Sequence, residues 1–216
     1  MTLTRSNWQG TVQRFEAAWW GDCANTYGEE TKQIAYARVM GLDPGTWQGG
    51  DKWPVYDFSS DSVIDVGGGP SSMLLKAKVF HGVVIDPCPY PDWVKERYAA
   101  HGITSIREPA EDYLAGAPDD TYDVALIYNV LQHTMDPEKI CREMRRVAKV
   151  VRIFEWVDLE PHPGHPHELH AAELAEWLDG DGDSTMRHVW LDEQYNEIGS
   201  DSDSPVRQHG WGGVFA

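Results

Sequence analysis

The run Val63-Ile64-Asp65-Val66 is followed by Gly67, Gly68 and Gly69, then Pro70, Ser71 and Ser72. A stretch that reads as a buried strand thus ends on three residues without side chains. Glycine in a strand or helix costs about 0.5–1 kcal/mol relative to alanine, so three in succession imply that something must come very close to the main chain. The following segment, Ser71 to Lys78, reads as a first helix whose unpaired N–H groups would face that ligand. A second carboxylate, Asp86, closes the next apolar run, Val83-Val84-Ile85. It lies about 20 residues past the first acid, where doubly wound folds place the group that grips a ribose diol. Two carboxylate oxygens match two hydroxyls, so the pair implies a cofactor built on a nucleoside. A plain tight turn beside an exposed aspartate is the bland alternative. The nicotinamide fingerprint G-x-G-x-x-G is met at Gly67 and Gly69, but its third place holds Ser72.

A second concentration of chemistry lies in Glu160–Leu178, which carries His162, His165, His167 and His170. The spacing is not H-E-x-x-H, and the prolines Pro161, Pro163 and Pro166 imply a stiff loop. It reads as a surface that binds a substrate rather than a metal site; a solvated loop with a histidine N-cap is the equal alternative. Glu155, at the end of an apolar run, is placed to assist a base or cation, or to be a simple strand-end charge. Residues 179–183, DGDGD, suggest a calcium loop but fail, because the sixth and twelfth places hold Ser184 and Trp190. No metal is expected.

These groups need a scaffold, and the pattern supplies one. From Ser62 onward short apolar runs alternate with helical stretches, which argues for a parallel sheet wrapped by helices. The clearest helix follows Asp136, a good N-cap, with Pro137 in the first turn and Ile140, Met144, Val147 and Ala148 on one face. The first sixty residues read as helical and then loop-like, with a helix ending near Gly41 and a turn-rich stretch from Asp43 to Pro54. Lys and Arg number 18 against 35 Asp and Glu, a net charge of −17. Such a surface repels phosphate backbones and anionic membranes, which argues against a nucleic-acid partner. Cys23, Cys88 and Cys141 stand far apart, with no CxxC, as in a reducing compartment. The first ten residues lack the apolar core of a signal peptide, and no run approaches the ~20 apolar residues of a membrane span. The expectation is a cytoplasmic protein.

Four stretches, in order, resemble the class I S-adenosylmethionine-dependent methyltransferases. They are VIDVGGGP (from Val63), VVIDP (from Val83), REPAEDYL (from Arg107) and the long YDVALIYNVLQHTMDPEKICREMRRVAK (from Tyr122). The likeness spans about residues 61–160. It implies an α/β fold, a three-layer Rossmann-like sandwich with a seven-stranded, mostly parallel sheet whose last strand is antiparallel. Residues 1–60 would form an N-terminal helical cap and 61–216 the S-adenosylmethionine-binding domain. The resemblance implies that Gly67, Gly68 and Gly69 meet the cofactor's amino-acid portion, that Asp65 helps order its ammonium, and that Asp86 holds its ribose. Ala110 and Glu111 would flank the adenine, and Asn129 would approach the methionine part. Pro109 stands where the family often has an acid, so Glu108 or Asp112 is a substitute there.

Methyl transfer from a sulfonium is an in-line displacement, in which orientation supplies several kcal/mol. The resemblance places the loop of His133 beside the reacting methyl, where an imidazole serves as a base near neutral pH; ordering the loop through a backbone carbonyl is the competing role. His133, His165 and His167 are the catalytic candidates, and Trp20, Tyr27 and Gln33 are candidates for a lid. The implied activity is methylation of a small-molecule or glycan acceptor at oxygen or nitrogen. A methyltransferase for nucleic acid or protein, a nicotinamide-dependent oxidoreductase and a noncatalytic cofactor-binding module are the alternatives.

Overall fold

The structure, a computed structural model, describes residues 3–42, 55–179, 184–204 and 207–216. The turn-rich stretch 43–54 and most of the acidic turn at 179–183 lie outside the described residues. Two helices come first, α1 (Arg5–Trp20) and α2 (Tyr27–Val39). Thr4 caps α1 by accepting from the Asn7 amide at 3.3 Å, and Gly21 ends it at a positive φ of 53°. Then come β1 (Tyr56–Val66), β2 (Ala77–Ile85), α3 (Asp92–Ala100), β3 (Ile103–Ile106), α4 (Ala110–Gly116) and β4 (Tyr122–Tyr128). The chain continues through α5 (Pro137–Val147), β5 (Ala148–Trp156), α6 (Ala171–Trp177), β6 (Thr185–Leu191), β7 (Glu197–Ile198) and β8 (Gln208–Phe215).

The strands form one sheet in the order β3-β2-β1-β4-β5-β8-β6-β7. The first five in that order pair in parallel, while β8 runs antiparallel to both β5 and β6. The expected antiparallel last strand is therefore present. The expected count of seven is exceeded by one, because two-residue β7 adds itself to the edge of β6. The strand preceding the glycines starts at Tyr56, ahead of the expected domain limit at residue 61.

Alternating side-chain direction sorts the strand residues onto two faces, both of them buried. Val63, Val84, Val124 and Leu126 pack with α2 and α3 on one side. Ile64, Val83, Ile85, Ala125 and Ile127 pack with α4, α5 and α6 on the other. Helix α5 is built as its sequence dictates: Asp136 accepts from the Lys139 amide at 3.0 Å, Pro137 opens the helix, and Ile140, Cys141, Met144 and Val147 are buried.

The expected helix over Ser71–Lys78 is not formed. Only a single 3-10 turn, Met73–Lys76, separates the glycines from β2. The long β1 explains this, since its first residue Tyr56 already pairs with Ala77, the first of β2. The chain from Ala77 is thereby committed to the sheet. The amides that a helix N-terminus would have offered are bonded instead to two phenols: Ser72 N–H donates to Tyr98 Oη at 3.0 Å and Met73 N–H to Tyr128 Oη at 2.9 Å. Helix α2 braces the same loop through Gln33 Nε2, which donates to the Ser71 carbonyl at 2.7 Å, and Glu30, which accepts from Ser71 Oγ at 2.8 Å.

Candidate active site

The C-terminal ends of β1, β2, β4 and β5 open into one crevice of about 380 Å³, roofed by α1. It lies where the sheet order reverses between β1 and β4, the switch point at which open α/β sheets bind ligands. Gly67, Gly68 and Gly69 form part of its lining. Gly67 sits at φ +69° and Gly69 at φ +61°. A Cβ on Gly67 would stand 2.4 Å from Val130 Cγ1, and one on Gly69 would point toward Trp20 at 3.4 Å. The missing side chains thus satisfy both the turn and the close approach of neighbouring walls.

Asp86 follows β2 at the rim, with both oxygens already aimed. Oδ2 accepts from Gly69 N–H at 3.1 Å and Oδ1 from Cys88 N–H at 2.9 Å. Burial raises its pKa to about 6, although the Cys88 amide, the Tyr90 hydroxyl and the Gly69 amide favour the charged form. Asp65 occupies a different place from its neighbours. It lies behind Gly68, fully buried, outside the crevice lining. Oδ2 accepts from Ser72 Oγ at 2.5 Å and from Tyr128 Oη at 2.6 Å, while buried Oδ1 has no partner among the described residues. Burial pushes this acid to about 7.

Ala110 and Glu111 open α4 and line the crevice. Glu111 is also a clamp: its carboxylate accepts from the amides of Met135 at 2.8 Å and Asp136 at 3.2 Å. Asn129 follows β4 at φ +58°, lines the crevice, and accepts from Gln132 Nε2 at 2.7 Å. Glu155 is fully buried rather than a strand-end charge. It accepts from Val130 N–H at 3.0 Å and Leu131 N–H at 3.1 Å, and burial raises it to about 7. Two acids on different elements therefore pin the loop 129–136 from both ends.

That loop presents His133. Its Nδ1 lies 2.9 Å from Glu16 Oε1 and 3.0 Å from the Gly164 carbonyl, and its own carbonyl accepts from Trp8 Nε1 at 2.7 Å. Burial pulls the imidazole down, but the hydrogen bond and charge of Glu16, helped by Glu155 and the Gly164 carbonyl, hold it above its ordinary value. His162 and His165 exchange main-chain bonds of 2.9 and 2.8 Å, which closes the histidine-rich loop into a tight turn. The His165 ring meets that of His133 at 4.2 Å, edge to face, and both His162 and His165 line the crevice. Burial, then the neighbouring His133 and His162, lower His165 to about 3. His167 does not line the crevice: its Nε2 lies 2.9 Å from the Thr134 carbonyl, so it fastens the loop. His170 pairs with Asp158 at 3.0 Å, away from the site. Of the lid candidates, Trp20 and Gln33 line the crevice, whereas Tyr27 is 65% exposed and does not. Glu16 carries no local sequence signal, because only the path of α1 across the strand ends brings it to His133.

The family model for the methyltransferase domain matches residues 64–150, which hold the glycine turn, Asp86, Glu111 and Asn129. Residues 64–150 are thus a methyltransferase domain. Its fold is shared with an S-adenosylmethionine-dependent methyltransferase of Thermotoga maritima, titled a possible histamine N-methyltransferase. That match has 15% identity and a TM-score of 0.59 over 97% of this chain and 100% of that one. The 1,6-didemethyltoxoflavin-N1-methyltransferase of Burkholderia thailandensis matches at 13% identity and a TM-score of 0.59, over 99% of this chain and 91% of that one. A methyltransferase of Haloferax volcanii, in complex with the activator Trm112, matches at 14% and 0.57, over 94% and 97%. Among curated protein sequences, none matches this chain.

The residues of the methyltransferase fit its cofactor, S-adenosylmethionine. The bare main chain of Gly67–Gly69 forms a cradle that side chains would fill. Asp86 is pre-aimed by two amides and lines the same crevice. No helix among the described residues is long and apolar enough to cross a membrane.

Proposed function

We propose that this methyltransferase methylates an oxygen or nitrogen atom of a small-molecule acceptor, a sugar included. The observation that carries the reading is the shape of the crevice. Gly67–Gly69, Asp86 and the Glu16–His133–His165 cluster all line it, so one chamber has room for donor and acceptor together. S-adenosylmethionine supplies an electrophilic methyl group on a sulfonium. The chain's own residues do the remaining work. Asp86 takes the ribose, with Gly67, Gly68 and Gly69 against the amino-acid portion, Asp65 behind them, Ala110 and Glu111 beside the adenine and Asn129 near the methionine part. Trp19, Trp20, Trp156 and Leu159 offer an apolar wall for the flat or ring-shaped body of an acceptor, while α1 shields the chamber from water. His133 and His165 face the acceptor's polar atom.

A small acceptor also agrees with the net charge of −17, which disfavours nucleic acid. The Burkholderia structure holds a small acceptor beside S-adenosylhomocysteine within this fold. Three free, buried cysteines fit the reducing cytoplasm as the compartment. The test is transfer of labelled methyl from S-adenosylmethionine to a panel of phenols, amines, sugars, RNA and protein. Labelling confined to RNA or protein overturns the proposal.

A further inference from the structure

Three side chains from three distant parts of the chain converge on the wall of the crevice: Glu16 from α1, His133 from the loop after β4, and His165 from the loop after β5. One ligating atom from each lies within 4.8 Å of the other two. Ligands on a tetrahedral ion at ~2.0–2.1 Å stand about 3.3 Å apart, so shifts of roughly an ångström close this trio on a cation. Glu16 and His133 are already 2.9 Å apart.

The surroundings are those of a donor set held in place. The His162–His165 bridge fixes one imidazole, and Phe15 packs on both rings of that bridge at 5.5 and 6.4 Å. The 3-10 turn Leu131–His133 is clamped by Glu155, which accepts from the Val130 and Leu131 amides, and tied by Trp8, which donates to the His133 carbonyl. His162 stands 4.1 Å from His165, so three imidazoles crowd one carboxylate. Among the described residues no lysine or arginine pairs with Glu16. So many rings cannot all carry protons, and neutral imidazoles beside a carboxylate are the donors that transition metals select.

We propose that Glu16, His133 and His165 form a site for one divalent transition-metal ion, open toward the crevice, that seats the acceptor's heteroatom. Three protein ligands leave a coordination position free. This role rests on the methyltransferase reading above; the site itself does not. It departs from the expectation of no metal because the sequence spacing of the histidines gives no sign of Glu16.

The test uses the tag-free full chain, stripped with chelator, and Zn²⁺ or Co²⁺ alone. Calorimetry gives one equivalent bound with micromolar or tighter affinity, and Co²⁺ gives a visible absorption band of low-coordinate type. Glu16→Gln, His133→Ala and His165→Ala each weaken binding at least tenfold. His188→Ala does not, although His188 and His209 form the other close imidazole pair at 2.9 Å. Should His133→Ala fold poorly, Glu16→Gln and His165→Gln carry the test, with thermal shift of the wild type by Zn²⁺ beside them. No binding by the wild type, or binding lost only in His188→Ala, overturns the site. S-adenosylhomocysteine affinity measured without metal reports separately on the methyltransferase reading.

Discussion

The Gly69 amide donates to Asp86 Oδ2 at 3.1 Å, so the glycine turn after β1 and the acid after β2 are one unit. Removing the carboxylate therefore takes away the ribose ligand proposed here and loosens the turn proposed to bear the amino-acid portion. Charge-assisted hydrogen bonds contribute about 1.5–3 kcal/mol, so Asp86→Ala lowers S-adenosylhomocysteine affinity by roughly 10- to 100-fold. Asp86→Asn falls between, because its amide group must face one of the two N–H donors. Titration calorimetry reads both, and an unchanged affinity for the alanine variant removes Asp86 from the cofactor site.

Gly67 adds a second constraint, from its φ of +69° and the 2.4 Å that a Cβ would leave to Val130. Gly67→Ala destabilises the chain by about 2–4 kcal/mol, the sum of backbone strain and overpacking. Trimming the opposing wall with Val130→Ala relieves the clash but not the strain. The double variant is then less destabilised than additive single effects require, as denaturant midpoints measure. Strict additivity contradicts the contact.

Much of this arrangement was legible in the residues. Short apolar runs such as Val63–Val66 and Val124–Tyr128 are strands, and Asp136-Pro137 opens α5 where its chemistry says it must. Gly67–Gly69 and Asp86 come together because the crossover between two adjacent parallel strands leaves them no other place. The stretch after the glycines misled, because Met73-Leu74-Leu75 suits a helix turn while Lys76-Ala77-Lys78-Val79 alternates; the long β1, itself unannounced, decides for the strand. Glu16 was invisible, since local pattern does not say which helix face will cross the strand ends. Spacing alone does not separate His167, bonded to the Thr134 carbonyl, from the histidines that face the crevice.

The buried acids make stability depend on pH in an uncommon sense. Asp65 is raised to about 7 in the folded chain against an unfolded value of ~3.9. Between these values the folded state holds a proton that the unfolded state has lost. Its contribution to stability is therefore greatest below about pH 4 and declines as pH rises to about 7. Glu155, also raised to about 7, acts in the same direction. His165, lowered to about 3, opposes them below its unfolded value of ~6.5. The comparison that isolates Asp65 is Asp65→Asn against wild type: the stability difference shifts in favour of the variant as pH climbs from 4 to 7 and is flat above. Urea midpoints across that range measure it, and parallel curves rule out a raised Asp65.

The histidines divide by where their rings point. His133 and His165 line the crevice, while His167 fastens the loop through the Thr134 carbonyl. His133→Ala and His165→Ala therefore lower methyl transfer at least tenfold, with S-adenosylhomocysteine affinity within about threefold of wild type, since neither ring is needed by the glycine floor or Asp86. His167→Ala leaves one buried carbonyl without its donor, a cost of about 1–3 kcal/mol in stability, and leaves turnover of the folded fraction near wild type. Glu16→Gln keeps the size of the side chain but removes the charge beside His133, so it follows His133→Ala in turnover while retaining cofactor affinity. Single-turnover rates beside calorimetry separate these outcomes. Loss of activity in His167→Ala equal to that in His165→Ala, at matched folded fractions, contradicts the division.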